Sequence, residues 1–163
     1  MTLTPGPFKL TLTVHVISSV GWFGAVAAFL ALSIAGLISP DSQTVRGAYL
    51  AMDITTWCVT VPLDIVAVLS GLVLSLGTEW GLFRHYWLIV KLLLTIPATL
   101  LFLLHAQSID VVARAAATRI LAAGDLGNLR TQLAADAAAA LLVLLVATAL
   151  SIYKPRGRTR ASI

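Results

Sequence analysis

Long apolar runs broken by short polar interruptions dominate the chain. Runs of about twenty apolar residues, enough to cross a hydrocarbon core as a helix, fall near 9–37, 48–76, 87–106 and 133–153. The breaks at Ser39-Pro40-Asp41-Ser42 and Gly77-Thr78-Glu79 hold the residue types that end helices and turn the chain. The pattern predicts an all-α protein: an integral membrane four-helix bundle in one domain, because spans and loops use nearly all of the length. Residues 107–132 form the one long connection. Its first part, Ile109 to Ala123, is alanine-rich with Arg114 and Arg119 and reads as an extension of the third helix or as a surface segment, ended by Gly124-Asp125.

Polar residues inside the runs add a second layer. On the second span Asp53, Trp57, Thr60 and Asp64 follow a 4-3-4 spacing, which predicts one helical face. Lys91, Thr95, Ala98, Phe102 and His105 repeat it on the third span, and His15, Ser18, Ser19 and Trp22 form a polar face on the first. An ionisable group at membrane depth needs a partner or a purpose, so three such faces predict a shared interior. The helical rise puts His15 and Lys91 at ~10 Å from the cytoplasmic ends, Asp64 at ~18 Å, and Asp53 and His105 beyond ~30 Å. The expected pairings are Asp53 with His105, joined by Asp136 from the fourth helix, and Asp64 with Lys91 through its long stem.

Backbone signals agree with a polar interior. Pro62 and Pro97 fall at nearly equal depth and each frees a carbonyl one turn earlier, at Cys58 and Leu93. Gly21, Gly24 and Ala28 predict close helix approach on the first span, and Trp80 and Trp87 predict anchors at the membrane boundary.

Composition supports the bilayer as solvent: 59% of the 163 residues are hydrophobic and 11% charged, with mean hydropathy +0.96. The net charge of +4 does not point to nucleic acid, because four of the eleven basic residues lie in the tail at Lys154, Arg156, Arg158 and Arg160. With Lys9 and Arg84 they outweigh Arg46, Arg114, Arg119 and Arg130 on the other side, which predicts both termini in the cytoplasm. The expected location is the cytoplasmic (inner) membrane of a bacterial-type cell, multi-pass. The first run is too long for a secretory signal, and no cleaved signal is expected. Cys58 is the only cysteine, which excludes an intramolecular disulfide framework and a cysteine-based zinc site. No nucleophile elbow, phosphate-binding loop, zinc-protease motif or dinucleotide glycine pattern is present.

His15, Trp22 and Gly24 in HVISSVGWFGA, Trp87 and Lys91 in YWLIVK, His105 closing the third span, and Lys154-Pro155 after the fourth together resemble a group of small four-helix membrane proteins. The group includes the HemJ-type protoporphyrinogen oxidase and the CopD-type copper-resistance membrane domain. The resemblance implies a haem- or metal-associated redox bundle in which His15, His105 and Lys91 serve the cofactor. Asp53 or Asp64 would then orient the ligating imidazole. Helical rise separates His15 from His105 by ~20 Å or more in depth, so one iron binds both only if the spans are offset and tilted. Two other readings stay open. Lys91, Asp64 and the Asp53/His105 pair also suit a proton-coupled or metal-ion carrier. Alternatively the buried charges specify helix pairing in a non-catalytic assembly subunit. Expected partners are the lipid bilayer and either further copies of the chain or other membrane proteins.

Overall fold

The computed structural model describes residues 4–77, 85–118 and 126–153, except the His105 side chain. The described residues are helical: α1 (Pro5–Ile38), α2 (Ser42–Thr55), a π-helical turn (Thr56–Thr60), α3 (Val61–Leu76), α4 (Tyr86–Thr118) and α5 (Gly127–Tyr153). Since α2, the π turn and α3 form one rod, the described residues contain four helices long and apolar enough to cross a membrane. α1 opens with Pro5, whose missing N–H is no loss in a first turn. It stops at Ser39 because the residue before Pro40 is pushed away from helical backbone. Asp41 starts α2 by accepting from the amides of Gln43 at 3.2 Å and Thr44 at 2.9 Å and from the Thr44 hydroxyl at 2.6 Å.

The rods pack in a ring. α1 lies between the α2–α3 rod and α5, and α4 lies between α5 and α2, while α3 and α4 touch sparsely. The end holding the start of α1 and the finish of α5 is called the terminus end, the other the distal end. α1, at 34 residues, is ~51 Å long against a hydrocarbon core of ~30 Å. Exposed apolar side chains such as Leu10, Ile17, Leu69, Leu93, Leu104 and Leu142 belt the terminus-end portion. Exposed Gln43, Arg46, Arg114 and Asn128 coat the distal end. The length beyond ~30 Å is called the distal extension, where exposed apolar Ile38, Ile54 and Val111 lie among these polar groups. Inside it Phe29, Val45, Tyr49, Met52, Ile109, Val112 and Leu133 form the larger core. The belt has a smaller core of Trp22, Val26, Ala67 and Leu144.

At the distal end the third helix takes the extended one of its two expected forms, and the fourth begins earlier than expected. The third helix runs twelve residues past 106, to Thr118, and the fourth starts at Gly127, six before 133. Burial explains this: Ile109, Val112, Ala113 and Ala116 recur on one face, while Arg114 turns outward and pairs with Asp110 at 2.6 Å. Arg130, expected in a surface loop, is instead 2% exposed. Its Nε donates to the Tyr49 hydroxyl at 2.9 Å and its Nη2 to the Gly36 carbonyl, one of the orphaned carbonyls at the end of α1.

The π turn changes the face of the second rod. Thr56, Thr60 and Asp64 are fully buried, whereas Trp57 is 50% exposed and so leaves the face expected to hold Asp53, Trp57, Thr60 and Asp64. Buried positions at Met52, Thr56, Thr60 and Asp64 are four apart throughout. An α-helix turning every 3.6 residues would drift off that line, and the wider π turn keeps them facing inward. Pro62 favours the distortion because it has no N–H to donate, and the Val61 amide instead reaches back to the Thr56 carbonyl. Among the small residues of α1, Gly21 admits Leu63 of α3, whose Cδ1 would lie 3.0 Å from an added Cβ, but Gly24 faces open space. Trp80, Arg84, Arg119, Gly124-Asp125 and the tail 154–163 lie outside the described residues.

Candidate functional site

The terminus-end half of the interior holds three polar groups on three helices. His15, half-buried on α1, reaches α3, where its Nδ1 lies 3.0 Å from the Ala67 carbonyl and 3.1 Å from Ser70 Oγ. A carbonyl only accepts, so the contact assigns the ring proton to Nδ1. The Ser70 hydroxyl donates elsewhere, to the Val66 carbonyl at 2.5 Å. This leaves Nε2 with the lone pair. The ring fits because residue 71 is glycine: an added Cβ would come within 3.0 Å of His15 Cε1.

Lys91 on α4 turns to α5. Its Nζ donates to Ser151 Oγ at 2.9 Å, and Ser151 donates in turn to the Ala147 carbonyl at 2.9 Å. Asp64 on α3 is fully buried, and its Oδ1 accepts from Thr99 Oγ1 of α4 at 2.8 Å, while Oδ2 has no hydrogen-bond partner. The expected Asp64–Lys91 pair is therefore not formed. Thr99 is eight residues beyond Lys91 on α4, which is ~12 Å of rise, and α3 and α4 do not close on each other there. No residue of α4 from Ile89 to Leu104 is buried among those described.

The remaining candidates lie nearer the distal end. Through the Asp64–Thr99 contact, the His105 backbone sits about 14–18 Å distal to the level of His15; the His105 side chain lies outside the described residues. Asp53 is eleven residues distal to Asp64, which brings it about level with Asp110 by rise and within the field of Arg114. One of its carboxylate oxygens, Oδ1, is buried without a hydrogen bond. Asp136 on α5 lines a cavity of about 120 Å³ with Thr60, Phe102, Val26 and Leu133. Among the described residues no three His, Cys, Asp or Glu side chains converge as a metal-ion site.

His15, Lys91 and Asp64 thus share the terminus-end interior, with Asp53 and Asp136 apart from them. Sequence reasoning missed Ser70, Gly71, Thr99 and Ser151, the residues that seat the three. Only Thr99 carried a signal, since Lys91, Thr95 and Thr99 repeat every four residues. Comparison with protein-family models, curated proteins and solved structures found no match. The functional reading therefore rests on the chemistry of these side chains.

Proposed function

We propose that the chain is a multi-pass protein of the cytoplasmic membrane, with both termini inside, and that His15 would hold a haem in the terminus-end half of the bundle. The observation that carries this reading is the Nδ1 contact to the Ala67 carbonyl. A ligating histidine characteristically donates its other ring N–H to a carbonyl or carboxylate, which fixes the tautomer and makes the ligating nitrogen more basic. His15 has that arrangement, with Nε2 as the nitrogen that would meet iron. The haem would supply one-electron chemistry at its iron.

The chain's own residues would hold and tune the group. Ser70 and the Ala67 carbonyl fix the imidazole plane, and Gly71 leaves room for it. Lys91 supplies a positive charge of the kind a propionate needs. The reading gives His105 no role at this site, because about 14–18 Å of rise separates the two backbone levels. The basic tail and Lys9 support the proposed orientation. Haem titration of the detergent-purified chain tests the reading: a shifted Soret band saturating at one haem per chain is expected, and a titration indistinguishable from haem in detergent alone refutes it.

A further inference from the structure

Asp64 is not used by a histidine-ligated haem, yet its surroundings are specific. Its side chain is fully buried, Thr99 donates to Oδ1 at 2.8 Å, and Oδ2 has no hydrogen-bond partner. No ion pair to Asp64 occurs among the described residues. Charged and titratable groups on the surrounding helices are placed elsewhere. His15 of α1 is held at Ala67 and Ser70 and Lys91 of α4 at Ser151, while Asp136 of α5 lines the distal cavity and Asp53 sits near Arg114. A carboxylate with no cation in an apolar interior is costly, and the group avoids that cost by keeping its proton. A protonated carboxyl can accept at Oδ1 from Thr99 or donate from Oδ1 to the Thr99 hydroxyl, and either way Oδ2 has no protein partner. One turn distal on the same face, fully buried Thr60 lines the 120 Å³ cavity that Asp136 also lines.

We propose that Asp64 is an exchangeable proton-binding site in the bundle interior, one helical turn from the cavity that Thr60 and Asp136 line. The ligand is the proton, and the site is independent of whether His15 binds haem. The unpartnered Oδ2 is the position a relaying water or neighbouring group would meet.

The test is infrared spectroscopy of the full chain in lipid, with labelling by the apolar reagent dicyclohexylcarbodiimide. A carboxylic acid adds across one C=N bond of the reagent: its oxygen bonds the central carbon and its proton passes to nitrogen. The acyl group then migrates to nitrogen, so the adduct gains the whole reagent mass and nothing leaves. The expected result at neutral pH is a protonated-carboxyl band that shifts in D2O, disappears at alkaline pH and is absent from Asp64→Asn. One adduct on Asp64 should fade over the same pH range. Asp64→Glu should restore both signals, and Thr99→Val should retain the band with its C=O stretch moved to higher frequency as the hydrogen bond is lost. A wild-type spectrum without the band, or a band indifferent to both D2O and pH, would overturn the proposal.

Discussion

Arg130 fastens the end of one helix to another: its guanidinium bonds the Gly36 carbonyl of α1 and the Tyr49 hydroxyl of α2 at 2.9 Å, and lies 5.4 Å from the centre of the Tyr49 ring. The charge offsets the negative end of the α1 dipole while the ring shields it from water. Hydrogen bonds to a charged group contribute about 1.5–3 kcal/mol each, so Arg130→Ala should cost at least ~2 kcal/mol of stability. Gly36→Ala should also destabilise, by about 1–3 kcal/mol, because its Cβ would fall 2.8 Å from the Tyr49 ring. Both changes act through Tyr49, so thermal unfolding in detergent should show a combined loss smaller than the sum.

Asp64 and Lys91 should behave as strangers. Each has its own partner, Thr99 and Ser151, and ~12 Å of rise separates them. Asp64→Asn and Lys91→Gln should therefore add to within about 0.5 kcal/mol in a double-mutant cycle on unfolding. Recovery of stability in the double variant would mean that they pair.

The π turn can be read through tryptophan. Trp57 is 50% exposed on the belt and Trp22 is 7% exposed. In single-tryptophan variants reconstituted in brominated lipid, Trp57 fluorescence should be strongly quenched and Trp22 fluorescence largely spared. Equal protection would return Trp57 to the interior face.

The turn before α2 should be acid-sensitive. Hydrogen bonds from Thr44, with its hydroxyl the larger contributor, and from the Gln43 amide hold the Asp41 carboxyl below its ordinary pKa. A depressed folded-state pKa gives stability that is fully present above the unfolded value and is lost as pH falls through the lower folded value. Amide exchange at Gln43 and Thr44, corrected for its intrinsic pH dependence, should lose protection in that acid range. Asp41→Ala should have lost it at every pH.

The four apolar runs were legible because one residue in two or more is apolar over a membrane's thickness, whatever each side chain touches. The distal extension was legible only as one of two alternatives for Ile109 to Ala123. Ile109, Val112 and Ala116 face α2 from a segment that also holds Asp110 and Arg114, so only the partner helix reveals which side is inside. Pro62 signalled a distortion, but its effect was a π turn that rotates Trp57 outward, which a constant 4-3-4 spacing cannot express. His15, Lys91 and Asp64 could be singled out because bilayers penalise such residues. Their partners could not, since serine, threonine and glycine are common between helices and Ser70, Gly71, Thr99 and Ser151 acquire meaning only from the neighbour opposite.

The histidine assignment is tested most directly by absorption spectra, oxidised and dithionite-reduced, of wild type, His15→Ala and His105→Ala, expressed with haem supplied and compared at equal folded yield. The account predicts a Soret band in wild type that persists in His105→Ala and disappears in His15→Ala. A band retained in His15→Ala, or a featureless spectrum from folded wild type, would contradict it.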